Sequence, residues 1–424
     1  MEPGFIRTSH YKWLFAMPSC ELVTIGSELL NGSVLNTNAQ FLARKITALS
    51  IEVAYQVSCK DREQDILDTL SRAFERSDLI IVTGGLGPTP DDITREVIAK
   101  FFHCPLKFNP AQYRHILHHF RTLRKVTPLM TRREAFLPEA AKPLLNRFGI
   151  ALGFYIAAGG KLLITLPGVP RELVKMYETR VEKLIKDKFP DRPRFYFLEA
   201  HTAGLHETQI MRKLGKGFFA GRKFEFGIYP KIGEVTIRVK TQEKNLIPIL
   251  HRELVKKLKG SLYSCKNESF SAALGMELRK CKKTLAIAES CTGGLLAERI
   301  TDPPGASQYF KGSIVAYSNQ IKFRELGVPM ELIQKEGAVS AEVAQAMAKA
   351  IRIQYQTSIG LSITGVAGPS GGTRLKPIGL VYIAISDSKR NRAFRFRFLG
   401  ERDKIRLQAT QKALFLLWQW LARG

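Results

Sequence analysis

The chain has 424 residues, 45% of them hydrophobic and 24% charged, and a formal net charge of +27 at pH 7. That length exceeds one ordinary domain, and that composition belongs to chains with real apolar cores, so intrinsic disorder is excluded as the general state. No apolar run reaches the length of a membrane span, and the positive charge favours anionic partners such as nucleotides.

Residues 1–17 read as an N-terminal extension, too short and irregular before Met17 for a secretory signal. Strand and helix signals then alternate. "CELVTIG" predicts a strand, "NTNAQFLARKITAL" a helix, "EVAYQVSCK" a strand, "EQDILDTLSRAFERS" a helix, "DLIIVTGG" a strand and "ITREVIAKFF" a helix. "KLLITLPGVPRELVKMYE" adds a late strand, a Gly-Pro turn and a helix. Residues 18–172 therefore form an α/β domain with a largely parallel sheet.

The pattern changes over 173–262. A strand in "RPRFYFLEAHTAG", a helix in "LHETQIMRKLG", a hairpin around "PKIG" and a helix in "NLIPILHRELVKKLKG" make a small α+β module. Residues 268–424 return to alternation through "SFSAALGMELRKC", "LAIA", "GSIVAYS", "SAEVAQAMAKAIRIQY" and "TSIGLSITG". "GLVYIAISD" and "NRAFRFRFLG" then pair ahead of a C-terminal helix. The fold class is α/β: two three-layer α/β domains joined by the small α+β module.

Six cysteines carry no CxxC spacing, which argues against zinc or a disulfide framework and for a reducing cytoplasm. His115, His118 and His119 share one helical face among Arg and Lys, and a solvated face is the expectation there.

Two loops are chemically suggestive. In "TGGLGPTPDDITREV", Gly84, Gly85 and Gly87 let backbone N–H groups face an anion ahead of a helix. Thr89 and Asp92 equally make a capping box, and Asp91 with Asp92 suits a divalent cation. Capping and binding both stand. In "LAIAESCTGGLLAERI", Ser290, Cys291 and Thr292 are adjacent potential nucleophiles at a strand-to-helix turn. Ser290 reads either as the helix N-cap or as a nucleophile.

No histidine occurs from 268 to 424, so neither Cys–His nor Ser–His–Asp is available within that domain. A lysine base is the remaining option. "VAYSNQIK" places Tyr317, Asn319 and Lys322 past a strand, and "SITGVAGPSGG" offers Thr364, Gly365, Ala367 and Gly368 for an oxyanion or phosphate. The helix near Thr292 is expected to point its positive end at the ligand.

"GSELLNGSVLNTNAQFLARKI", "VTGGLGPTPDDITREV" and "LPGVPRELVKM" resemble the N-terminal domain of the CinA (competence/damage-inducible) family, which is similar to molybdopterin-binding domains. That resemblance implies an ADP-ribose pyrophosphatase using a divalent metal and potassium. Its site would comprise Glu28, Asn36, Asn38, Gly84, Gly85, Gly87 and Thr94, with Asp91 and Asp92 for metal. The chain departs from the family loop at Phe148, Ile150 and Leu152, which predicts weak ADP-ribose hydrolysis.

The middle module resembles the family's KH-like domain but lacks a GxxG clamp, so nucleic acid is not the expected partner. "AESCTGG", "YFKGSIVAYSNQIK", "GAVS", "ITGVAGPSGGT" and "GLVYIA" resemble the CinA C-terminal domain, which implies nicotinamide mononucleotide deamidase activity in pyridine nucleotide recycling. The resemblance assigns Ser290 as nucleophile and Lys322 as proton acceptor, supported by Tyr317 and Thr364. Thr292, Gly293, Asn319, Gly365, Ala367 and Gly368 would contact substrate, and Arg402 and Arg406 sit where the family places a phosphate-reading arginine. No cofactor is expected for the amidase. Small nucleotides and a second copy of the chain are the expected partners. A nucleotide-sensing or nucleic-acid-associated competence protein with a degenerate N-terminal site is the alternative.

Overall fold

The computed structural model describes residues 17–422, so the extension expected over 1–17 lies, apart from Met17, outside the described residues. The chain divides into two compact units, meeting in sequence at Phe195 and Tyr196.

The first unit is built on a six-stranded sheet. Its order is Glu52–Cys59, Ser19–Ile25, Leu79–Thr83, Lys161–Leu166, Gly153–Ala158 and Lys142–Leu144. The first four strands are parallel, and the last two join antiparallel. Leu79–Thr83 is wholly buried, as expected of a strand covered on both faces. The helix Thr37–Ala48 starts where the Asn36 side chain accepts from the Ala39 amide at 3.0 Å. It buries Leu42 and Ile46 against Leu22 and Ile81.

The boundary expected after residue 172 lies later. Leu173, Met176, Tyr177, Val181 and Ile185 pack into the same core as Leu22 and Ile164, so the helical run from Pro170 to Lys188 belongs to the first unit. The loss of strand alternation near 173 marks a helix, not a new module.

The second unit holds two sheets. The smaller is antiparallel, in the order Glu225–Lys231, Glu234–Thr241, Tyr196–Ala203, Leu262–Ser264. It packs on the helices Glu207–Leu214 and Leu246–Lys257 through Ile210, Leu214, Leu250 and Leu254. The larger sheet has the order Phe310–Val315, Leu285–Glu289, Ile359–Gly365, Leu380–Ser386, Asn391–Arg397. Its first three strands are parallel and the rest antiparallel. The helices Phe270–Lys280 and Arg402–Leu421 contribute to one core and Ala341–Gln354 to another. The fold is thus mixed α/β with several sheets, as the alternation predicts. Among the described residues no helix is long and apolar enough to cross a membrane.

Candidate active site

Residues 285–289 are all buried, and the chain leaves this central strand through a turn with Gly293 at φ +59° and Gly294 at φ +96°. The following helix, Leu295–Thr301, has Gly294 at its N-cap position and no side-chain cap there. Glu289 takes that role from the end of the strand. Its carboxylate accepts from the amides of Gly294, Leu296 and Ala297 at 3.0, 3.1 and 2.9 Å.

Two expectations are corrected by this. Ser290 is not the helix cap. Nor does the helix present a free positive end to a ligand, because the Glu289 carboxylate already sits on its amides. The only sequence signal for Glu289 is a carboxylate ending an apolar strand before Ser290 and the two glycines.

Relieved of capping, Ser290 faces Lys322. Lys322 Nζ lies 3.0 Å from Ser290 Oγ and donates to the Ala316 carbonyl at 2.6 Å, with the Tyr317 carbonyl at 3.5 Å. Lys322 is 1% exposed. Its helix, Asn319–Leu326, is started by Ser318, whose hydroxyl accepts from the Ile321 amide, and Lys322 falls in the first turn. Burial pushes the ammonium down to about 8, since removal from water penalises the charged form. A neutral amine here has carbonyls for its N–H groups and its lone pair free for the Ser290 hydroxyl.

Cys291 points elsewhere. It packs in the core with Leu285, Leu296 and Ile363, and a Cβ placed on Gly365 would lie 3.1 Å from its sulfur. Burial pushes its thiol up to about 12, which suits a packed thiol rather than a thiolate nucleophile. Thr292 is buried, its hydroxyl has no hydrogen-bond partner, and its carbonyl accepts from Arg406 at 2.7 Å.

The remaining predicted residues divide. Tyr317 is exposed at the rim, where its hydroxyl accepts from Arg402 at 2.8 Å. The same guanidinium donates to the Gly368 carbonyl at 2.6 Å, so Arg402 ties the Tyr317 and Gly368 loops together. Arg406 keeps a buried Nε without a hydrogen-bond partner, its Nη1 lies 3.7 Å from Asp403 Oδ1, and a Cβ placed on Gly293 would lie 3.6 Å from its Nη2. Asn319 is exposed one turn before Lys322. Thr364 has a buried hydroxyl that donates to the Ala338 carbonyl at 2.8 Å. Gly365 allows close approach of its strand to Val381 and Cys291, and Ala367 is buried beyond it.

The first unit holds its own cavity, of about 470 Å³. Glu28, Asn36, Asn38, Gly84, Gly85, Gly87, Asp91 and Asp92 all line it. Thr94 does not. Its hydroxyl donates to the Gly84 carbonyl at 2.9 Å and holds the glycine loop in shape. Asn36 caps its helix, and Asn38 donates to the Gly168 carbonyl at 2.7 Å. The expected capping box is half formed: the Asp92 carboxylate accepts from the Thr89 amide at 3.0 Å, but the helix starts later, at Thr94.

Of the three loop departures only Ile150 lines the cavity. Phe148 is largely exposed and Leu152 is in the core. His115 lies 3.0 Å from the Gly149 carbonyl and helps hold this loop. A divalent ion here would rest on Asp91 and Asp92, which both line the cavity, together with phosphate oxygens of a nucleotide. Asp92 Oδ2 is taken by the Thr89 amide and hydroxyl, and among the described residues no three His, Cys, Asp or Glu side chains converge as ligands.

Sequence reading missed Glu134 in this cavity. It is 1% exposed, and neither carboxyl oxygen has a hydrogen-bond partner. Burial pushes its carboxyl up from 4.5 to about 7. Its ionised form is disfavoured by folding, so the destabilisation is absent below about 4.5 and complete above about 7. Glu134→Gln is expected to stabilise the first unit at pH 8 by about 1–3 kcal/mol and to change it little at pH 4.5. Hydrogen exchange of peptides from Leu79–Thr83 in urea at the two pH values measures this. An equal effect at both would mean the carboxyl is not the titrating group.

Comparison with known proteins places the chain in a family. Residues 267–421 match the family model described as the CinA C-terminal domain, and residues 21–187 match the probable molybdopterin binding domain. A relative from Halothermothrix orenii, which carries the competence-damage inducible name, is 39% identical over 408 residues, covering 95% of this chain and 98% of its own. A CinA-like protein of Dictyoglomus thermophilum is 37% identical over 415 residues, covering 94% and 98%. The crystal structure of CinA from Thermoplasma acidophilum, 30% identical, covers 41% of this chain and 98% of that one, with a TM-score of 0.37. With full-length relatives at this identity and both domain models matched in order, the chain belongs to the CinA family.

Proposed function

We propose that the second unit hydrolyses the amide of nicotinamide mononucleotide to nicotinate mononucleotide and ammonia. The observation carrying the chemistry is the Ser290–Lys322 pair, 3.0 Å apart and buried, with the ammonium lowered to about 8. The family resemblance supplies the substrate.

Neutral Lys322 takes the Ser290 proton as Oγ attacks the carboxamide carbon. The tetrahedral intermediate collapses, the C–N bond breaks, and Lys322 returns the proton so that ammonia leaves. Water, deprotonated by the same amine, then cleaves the Ser290 ester and releases the carboxylate. Arg402 and Arg406, one turn apart on the helix Arg402–Leu421, bring positive charge to the rim for the substrate phosphate.

The test is ammonia release by the full chain. Nicotinamide mononucleotide is expected to turn over, and nicotinamide, which lacks the ribose phosphate, at least about 100-fold less efficiently in kcat/KM. No ammonia from either would overturn the reading. In the first unit, Gly84 at φ +102° and Gly85 at φ +64° support a pocket for a nucleotide phosphate.

A further inference from the structure

The second unit holds a cavity of about 600 Å³ that is used by none of this chemistry. It lies between the hairpin Glu225–Thr241 and the C-terminal helix, with Phe396 and Phe398 on its wall. Those two rings are stacked, with centroids 5.8 Å apart and planes 19° apart. Lys412 is half-buried, its Nζ 5.0 Å from the Phe396 centroid and 5.4 Å from that of Phe415. Lys231 and Lys404 also line the cavity.

Among the described residues no carboxylate is paired with any of these three lysines, and Glu207 is the one acidic residue on the lining. Burial lowers the Lys412 ammonium, the cost of a half-desolvated charge with no counter-ion. An anion entering here gains both the charge and the ring surface. The volume is that of a small-molecule site.

We propose that this cavity binds a nucleoside monophosphate, with its base against the Phe396–Phe398 wall and its phosphate between Lys404 and Lys412. Lysine ammoniums serve phosphate as point charges, and aromatic rings stack any base. The site is separate from Ser290 and does not rest on the amidase reading. Lys404, Gln408 and Lys412 form one stripe of the C-terminal helix, while Arg402 and Arg406 on another stripe reach Gly368 and Thr292. One rigid helix therefore borders both sites.

Photolabelling of the full chain with 8-azidoadenosine 5′-monophosphate, read by peptide mass spectrometry, tests this. Label is expected on peptides containing 396–398 or 404–415, competed by adenosine monophosphate but not by adenosine. Lys404→Glu with Lys412→Gln should reduce that label roughly tenfold or more, while Lys404→Arg with Lys412→Arg should retain it. Lys404→Glu alone, at an exposed position, keeps the test available if the double variant does not fold. Label confined to other peptides, unchanged labelling of the Lys404→Glu chain, or equal competition by adenosine would overturn the proposal. Labelling at the first unit's glycine loop does not count for it, because the peptides differ.

Discussion

Ser290→Ala is expected to lower ammonia release from nicotinamide mononucleotide by at least about 1,000-fold, whereas Cys291→Ala should stay within about fivefold of the parent chain. The asymmetry follows from where the two side chains point. Ser290 Oγ is 3.0 Å from Lys322 Nζ, while the Cys291 sulfur packs behind Gly365 with its thiol raised to about 12. Lys322→Arg should be as inactive as Ser290→Ala, because a guanidinium stays protonated and cannot accept the serine proton. Combining the two should cost little more than either alone, since nucleophile and base act as a unit.

The pH profile supplies the sign. Lys322 must be neutral to act, so the rate should climb as pH rises through about 8 and level off above it. A rate that falls over that range, or a Cys291→Ala chain as dead as Ser290→Ala, would remove the pair from the mechanism.

Glu289→Ala should have the next largest effect, on stability and turnover together. It strips the acceptor from three amides at once, those of Gly294, Leu296 and Ala297, at a position with no exposure. Each buried backbone amide left without an acceptor costs about 1–3 kcal/mol. The helix Leu295–Thr301 loses its start, and the turn carrying Ser290 loses its anchor. Glu289→Gln retains an acceptor oxygen and should keep most of the stability. Thermal unfolding of the full chain, followed in the near ultraviolet by the described Trp418 and Trp420, separates the two variants. If Glu289→Ala melts with the parent chain, the carboxylate is not holding the turn.

Much was legible in the residues. Strands such as Leu79–Thr83 and Leu285–Glu289 are short apolar runs ended by glycine or small polar residues, and burial on both faces makes that local pattern sufficient. Helices such as Thr37–Ala48 carry their own caps. The absence of histidine after 268 also leaves lysine as the candidate base without any structure.

Where the chain reads the same locally but packs differently, the sequence was silent or misleading. The expected boundary at 172/173 cuts through the helical run Pro170–Lys188, and its burial against Leu22 and Ile164 assigns the whole run to the first unit. The Thr89–Asp92 pair has the spacing of a helix start, yet the helix begins at Thr94 because the Thr94 hydroxyl is drawn to the Gly84 carbonyl.

The sequence by itself determined the alternation of strands and helices, the glycine turns and the set of residues able to do the chemistry, because these depend on side-chain type and short-range spacing. Tertiary structure alone decided which of the adjacent residues 290–292 faces a base. It also decided that Glu289 caps the helix, that Thr364 is tied to Ala338, and that Glu134 is buried without a partner. Of these, the Ser290 and Thr364 contacts are set by atoms 32 and 26 residues away in the chain. The lysine that makes Ser290 a candidate nucleophile is 32 residues on, brought there by a parallel strand pair, and its lowered proton affinity comes from the burial of that whole neighbourhood.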